Sequence, residues 1–411
     1  MTARLPRILI LTHYYAPELG APQTRLRETA RHLHDLGHEV RVLTGPPHYP
    51  DGVVRPGYSS WRRRQDLLDG IPVQRLPMLP RPNGGLLDRT IDQATFAAAA
   101  CAAMPAVRWS DVVLVESPPL FLGVAAAWHR LAARRPYVFH VADPWPDFPI
   151  AMGALPNPAL RRVAHGMAAL AYRGARLVTT VTPGLVALLD AKPSARGRVR
   201  LLPNGVETGR FAPGRSAAEA RAELGWPEAR LSLVYAGTVG LAQGVGTLVE
   251  AVAPLGSAGV VLHVVGEGRE REALRADAAR RGLDHVRFET PVPVERVPTV
   301  LAAADAIAVV LRRGPLHEHA LPTKLVEGLA AGRPVVVSAD GEAARLVVGA
   351  GAGRAAPAED PDALRSVILS LAGEPVRAAT QGLAARRLAE STFDRGAIVA
   401  LLSGYLVAAA R

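Results

Sequence analysis

One cysteine in 411 residues excludes an internal disulfide. Cys101 lies in an alanine-rich helical stretch, where a small buried thiol is the plain expectation, and its solitude fits a reducing cytoplasm. Long apolar runs are missing too. No window reaches about 18 strongly apolar residues without charge or proline. The nearest, residues 94–107, is mostly alanine and holds Pro105. No membrane-spanning helix is expected. The start, MTARLPRILILTHYY, offers only a short apolar run after Pro6-Arg7, which reads as a strand rather than the core of a signal peptide. Aromatics make up 5% of the chain and do not interleave with basic runs, which argues against nucleic acid as a partner. The dinucleotide fingerprint GxGxxG is absent after the first strand. Lysine is nearly absent: Lys192 and Lys324 stand alone among many arginines.

What is present is enough for two domains, each with its own core. The net charge is +11 and the pI near 10.5. Arginines cluster at Arg62-Arg63-Arg64, Arg134-Arg135 and Arg161-Arg162, all in the first half. Such a surface suits an anionic membrane face or an anionic substrate, although a chain that uses arginine freely on its exterior would look the same.

The most informative stretch runs over residues 304–338. A short apolar run, residues 307–311, reads as a buried strand, and a polar loop follows over 312–322. A helix is expected over 323–331, with Thr323 as its cap and Gly332 just past its end. Residues 335–337 read as the next parallel strand. The loop of such a unit lies at the carboxyl edge of a sheet, where open α/β folds bind ligands. Its chemistry suits a phosphorylated, hydroxyl-rich ligand. Backbone N–H groups at a helix start favour anions, and Arg312, Arg313 and Lys324 add positive charge. Lys324 and Glu327 share a helix face, where Glu327 can accept from sugar hydroxyls. A solvated surface pair is the bland alternative. A capping box would put its glutamate at position 326, which is Val326, so Glu327 is not explained that way.

The same grammar runs through the chain. Strands are expected over residues 7–12, 39–44, 71–76, 111–116, 137–141, 177–182 and 198–202. Helices are expected over about 24–36, 86–104 and 121–133. His140 and Asp143, in HVADPWPD, stand at a strand end and are candidates for contact with an acceptor or for proton transfer. The second half restarts after a linker and short helix over 209–225. Strands follow at 231–236, 260–265 and 286–289, a Gly-rich loop enters a helix near Thr247, and helices are expected at 361–373 and 381–408. The fold class expected is α/β, two doubly wound Rossmann-like domains facing each other across a cleft and joined near residues 205–212.

The segments PNGVETGRF, YAGTVGLAQGVGTLVEAV, VVGEGRERE, VPVERVPTVLAAAD and LPTKLVEGLAAGRPVV resemble family 4 retaining glycosyltransferases of the GT-B fold. APELGAPQTRLRETARHL, PHYPDG and SPPLFLG are similar to the members that build O-antigen and capsular polysaccharide. The resemblance covers residues 7–405. It implies an N-terminal acceptor domain over 1–207, a C-terminal nucleotide-sugar domain over 208–385, and a helix over 386–411 returning to the first. It further implies a nucleotide-sugar donor, usually a UDP-sugar, with no cofactor and no metal. Glu327 matches the glutamate that binds ribose hydroxyls. Leu321, Thr323 and Lys324 match the segment near the diphosphate, Thr290 and Val292 the region beside the base, and Gly20 the glycine loop beside the donor phosphates. His140 matches a histidine reaching the sugar or acceptor.

Two departures stand out. Many relatives carry a second glutamate eight positions before Glu327, where this chain has His319. An Arg and a Lys are common in the loop after the second domain's first strand, where this chain has Thr238 and Gln243. The cations expected to hold the diphosphate are then Lys324 with Arg312 or Arg313. The implied reaction is transfer of a hexosyl or aminohexosyl group, with retention, to a hydroxyl acceptor that is either a lipid-linked glycan or a small polar natural product. A polyprenyl-linked acceptor would bring the protein to the inner membrane face as a peripheral enzyme. His140, Asp143 and Lys324 are the residues expected at the chemistry. A nucleotide-sugar epimerase of the same fold and a non-catalytic partner subunit are the alternatives.

Overall fold

The computed structural model describes residues 4–411 apart from positions 19, 83, 212–215 and 315. Positions 212–215 of the expected linker therefore lie outside the described residues. The chain forms two compact units. Residues 1–204 and 395–411 make the first, and residues 205–394 the second.

The first unit is built on an eight-stranded sheet. Its strands are β1 (Ile8–Leu11), β2 (Val40–Thr44), β3 (Arg64–Leu68), β4 (Ile71–Arg75), β5 (Val112–Ser117), β6 (Tyr137–Val141), β7 (Leu177–Thr180) and β8 (Val199–Leu201). Their spatial order is β3-β4-β2-β1-β5-β6-β7-β8. All neighbours pair in parallel except β3, which runs antiparallel to β4 at the edge. The period of two explains how β1 is buried on both sides. Ile8 and Ile10 face one core with Leu26, Leu33 and Leu402, while Leu9 and Leu11 face the other with Phe96, Leu122 and Tyr172.

The second unit repeats the plan with six parallel strands: β9 (Leu231–Ala236), β10 (Val260–Val265), β11 (Val286–Glu289), β12 (Ala306–Val310), β13 (Val335–Ser338) and β14 (Gly353–Ala356). Their order is β11-β10-β9-β12-β13-β14. The chain builds outward from β9 to β11, then crosses back to lay β12 on the other side of β9. The strand order thus reverses between β9 and β12, the place where ligand crevices open in such sheets. Ile307 and Val309 of β12 pack with Val234 and Leu325, and Ala306 and Ala308 pack on the opposite face with Leu233 and Leu248.

Several expectations need correction. The helix expected over 86–104 ends at Cys101, and Met104–Trp109 forms a separate short helix with Pro105 in its first turn. Proline is tolerated there because the first helical N–H groups have no intrahelical partner. The antiparallel β3 begins in the basic run, where charged residues blunt a sheet edge. The helical tail is two helices, Pro375–Thr392 and Arg395–Ala410, parted at Phe393 and Asp394. Residues 386–394 belong to the second unit, so the chain returns to the first at Arg395. There Arg395 pairs with Glu28 at 3.2 Å, and Tyr405 donates to the Leu201 carbonyl at 3.2 Å. Among the described residues no helix is long and apolar enough to cross a membrane.

Candidate functional site

The reversal point of the second sheet is where Lys324 lies. Its helix, Thr323–Ala330, follows the loop after β12. Thr323 does not cap it: the capping position is Pro322, no side chain caps the end, and Thr323 is the first helical residue. Proline supplies the extended backbone and blocks further helix on its N-terminal side. The N–H groups of the first turn are left for other partners. Beyond the other end, Gly332 takes φ 66°, a left-handed turn that suits glycine.

The Lys324 side chain folds back over β9 rather than outward. Its ammonium donates to the Tyr235 hydroxyl and, at 2.9 Å, to Gln243 Oε1. It also stands 4.1 Å above the Tyr235 ring, in range for a cation–π contact. The Tyr235 hydroxyl in turn donates to the Thr238 carbonyl at 2.6 Å. Lysine, tyrosine and the loop over 237–244 are therefore one connected unit. Burial pushes the Lys324 ammonium down to about 7, against the opposing pull of the Glu327 charge. Both recorded acceptors are neutral oxygens, so a bound anion would strengthen the charged form.

The glycines of this edge let the loops approach. A side chain at Gly266 would put its Cβ 2.0 Å from the Gly237 carbonyl, and one at Gly341 (φ 85°) would come within 2.1 Å of the Glu318 carbonyl. The remaining expected residues divide into four groups. Arg312 binds Glu270 at 2.8 Å, and its backbone N–H donates to the Ala242 carbonyl at 3.2 Å, so it adjoins the Lys324 loop. Arg313 donates to the Ala358 carbonyl at 3.1 Å and lies 3.6 Å from Asp340, while His319 lies 3.6 Å from Glu342; both turn toward the loop after β13. Thr290 and Val292 follow β11 at the far edge of the sheet, Thr290 exposed and Val292 packed on the core. Leu321 is half-buried on the same core, and Glu327 is half-buried one turn after Lys324.

In the first unit Gly20 is exposed at the start of the helix Ala21–Asp35. His140 lies on β6, 2% exposed, with Nδ1 3.0 Å from Thr179 Oγ1 and Nε2 without a partner. Burial holds it well below the ordinary range, with the Arg25 charge adding to the effect, so it is neutral. It lines a small cavity with Arg25 and Glu116. Arg25 pairs with Glu116, whose second carboxylate oxygen has no partner. Asp143 is exposed in the loop after β6. Sequence reasoning missed Tyr235, which reads as core at the end of an apolar strand, and Glu116, which reads as the polar end of another.

Two family profiles match: a glycosyl transferase 4-like domain over residues 20–205 and glycosyl transferases group 1 over residues 230–374. WcaI of Escherichia coli, described as a glycosyl transferase of colanic acid biosynthesis, is 28% identical over 347 residues, 81% of this chain and 83% of its own. The D-inositol 3-phosphate glycosyltransferase of Streptomyces avermitilis is 30% identical over 390 residues, 91% of this chain and 80% of its own. Among solved structures, HepE of Anabaena in complex with UDP-glucose superposes with a TM-score of 0.74 at 20% identity, covering 98% of this chain and 100% of that one. The chain belongs to the family 4 glycosyltransferases of the GT-B fold.

Proposed function

We propose that the protein moves a hexosyl or aminohexosyl group, with retention, from a nucleoside diphosphate sugar to a hydroxyl acceptor. The second unit holds the donor and the first unit receives the acceptor. The observation that carries this reading is the Lys324 ammonium, held by the neutral oxygens of Tyr235 and Gln243 at the point where the sheet reverses. As the sugar C1–O bond breaks, negative charge grows on the leaving diphosphate. A fixed cation beside helix N–H groups stabilises that charge without reorganising at the moment of reaction. These groups replace a metal in this step. Glu327, one turn further along, accepts from the ribose hydroxyls. UDP is the nucleotide favoured, since HepE binds UDP-glucose in the same fold.

Transfer needs an acceptor hydroxyl, which Asp143 orients. The helix Pro158–Gly174 presents Leu160, Val163 and Leu170 to solvent beside Arg161 and Arg162. Apolar side chains among arginines suit the surface of an anionic bilayer, where a polyprenyl-linked acceptor would lie. The protein then works at the inner membrane face as a peripheral enzyme. Thermal shifts across UDP-, GDP- and dTDP-sugars test the donor, since a ligand of the native state raises its stability. NMR of the product reads the anomeric centre, and an inverted centre overturns retention. Flotation with anionic vesicles at low salt tests the membrane arm, and failure to co-float removes it.

A further inference from the structure

Two histidines and an aspartate meet inside the first unit, and no part of the reading above uses them. His13 follows β1, His48 lies in the loop after β2, and Asp92 comes from the helix Leu86–Cys101. Their side chains are 1%, 1% and 3% exposed. His13 Nε2 lies 2.7 Å from Asp92 Oδ2, and His48 Nε2 lies 2.9 Å from Asp92 Oδ1. One ligand atom from each residue falls within 4.8 Å of the others.

The protons of this cluster can be counted. His48 Nδ1 is 2.7 Å from the Pro46 carbonyl. A carbonyl only accepts, so Nδ1 carries the hydrogen. In a neutral ring Nε2 is then a bare lone pair facing a carboxylate oxygen. That contact also lies outside hydrogen-bonding geometry, although the distance is short. A lone pair and a carboxylate do not rest 2.9 Å apart in a dry interior without a cation between them. The cation is a proton or a metal ion.

Three observations favour the metal. Histidines that bind metals donate their other ring N–H to a carbonyl or carboxylate, which is what His48 does with Pro46, while His13 Nδ1 is buried and makes no such contact. A second imidazole, His13, converges on the same carboxylate, where a proton shared with His48 would need only one. Charge also balances better. Glu18 is buried beside the cluster, accepting from the backbone N–H groups of His48 and Tyr49 at 2.7 and 2.8 Å. Two buried carboxylates offset one divalent ion with both rings neutral, whereas a single proton on His48 leaves one negative charge in excess. Tyr14, its hydroxyl 3.4 Å from Asp92 Oδ2, closes another side of the cluster.

We propose that His13, His48 and Asp92 bind one divalent transition-metal ion, with zinc the best match to two imidazoles and a carboxylate. The ion fastens the ends of β1 and β2 to the helix that carries Asp92. It rests on the first unit alone and is independent of the donor assignment.

The test uses the full chain. Metal content is measured by mass spectrometry on protein grown in zinc-supplemented medium and passed through gel filtration, and again after chelation and reloading with cobalt(II). One equivalent of zinc per chain is expected, as are a visible d–d absorption from cobalt bound to nitrogen and oxygen ligands and a melting temperature that falls on chelation and recovers on reloading. His48→Gln and Asp92→Asn should each lose the ion and the absorption, with far-ultraviolet circular dichroism reporting whether the variant has folded. Wild-type protein that holds no stoichiometric metal either as grown or after reloading overturns the proposal and leaves a proton in the ion's place. Folded variants that bind as much metal as wild type overturn it equally.

Discussion

The two units share one architecture and treat charge in opposite ways. At the edge of the second sheet a cation is kept among neutral oxygens: Lys324 touches Tyr235 and Gln243, and burial holds its ammonium down at about 7. In the first unit, charges under the loops are matched internally. Arg25 meets Glu116, and Arg75 meets Asp66 at 2.6 Å. A site that leaves a cation short of counter-charge is less stable empty and better suited to an anion. A region that neutralises itself gains a fixed shape and little appetite for charged ligands. The comparison predicts which variants lose function and which lose stability.

The largest effect is expected at Lys324. Lys324→Met should lower kcat/KM by roughly 10²–10³-fold, the scale of losing one preorganised charge at a leaving group. The same change should leave the melting temperature of the ligand-free protein equal or higher, because it removes a desolvated cation. A fall in both would break the comparison. Lys324→Arg should not restore activity, since a longer, planar guanidinium does not reproduce the compact ammonium's contacts with Tyr235 and Gln243.

Glu116→Gln should show the converse. It leaves the Arg25 guanidinium without its charge partner and should cost about 2–3 kcal/mol in denaturant unfolding, while donor-induced thermal shifts persist. Gly341→Ala, forcing a Cβ toward the Glu318 carbonyl at positive φ, should destabilise the second unit by about 1–3 kcal/mol. Tyr235→Phe keeps the ring and removes the hydroxyl that joins Lys324 to the Thr238 carbonyl. A rise in donor KM of roughly tenfold is expected, about 1.4 kcal/mol for losing one hydrogen bond made by the ammonium.

The smallest effect is on pH. The folded ammonium of Lys324 sits near 7, below its ordinary 10.5. Between those values the unfolded chain binds more protons than the native one, so this group's contribution to stability rises with pH across that window and its penalty is complete below about 7. A diphosphate prefers the charged form, so donor affinity should weaken as pH rises above about 7, and binding should take up a proton. Calorimetry in buffers of different ionisation enthalpy reads that proton. Lys324→Met should abolish both the slope and the uptake.

Much of the second sheet is legible in the sequence: β9 and β10 are short apolar runs that end at Gly237 and Gly266, and β11 alternates apolar and charged residues. The residues of β14, Gly353–Ala356, escape because they carry no such run. So does β3, whose charged residues look like a surface loop. Lys324 is legible because lysine is so rare here. Tyr235 is not, because an aromatic at the end of a buried strand looks like packing until its hydroxyl is seen beneath an ammonium. The His13, His48 and Asp92 cluster is further from reach. Its members belong to three elements far apart in sequence, and only the fold brings their rings onto one carboxylate.

The most direct test of the central claim is titration calorimetry of UDP into wild-type protein and Lys324→Met at neutral pH, with circular dichroism confirming that both are folded. The account predicts saturable binding with proton uptake to the wild type and a loss of affinity of at least tenfold, about 1.4 kcal/mol, in the variant. Equal affinity in the two proteins would contradict it.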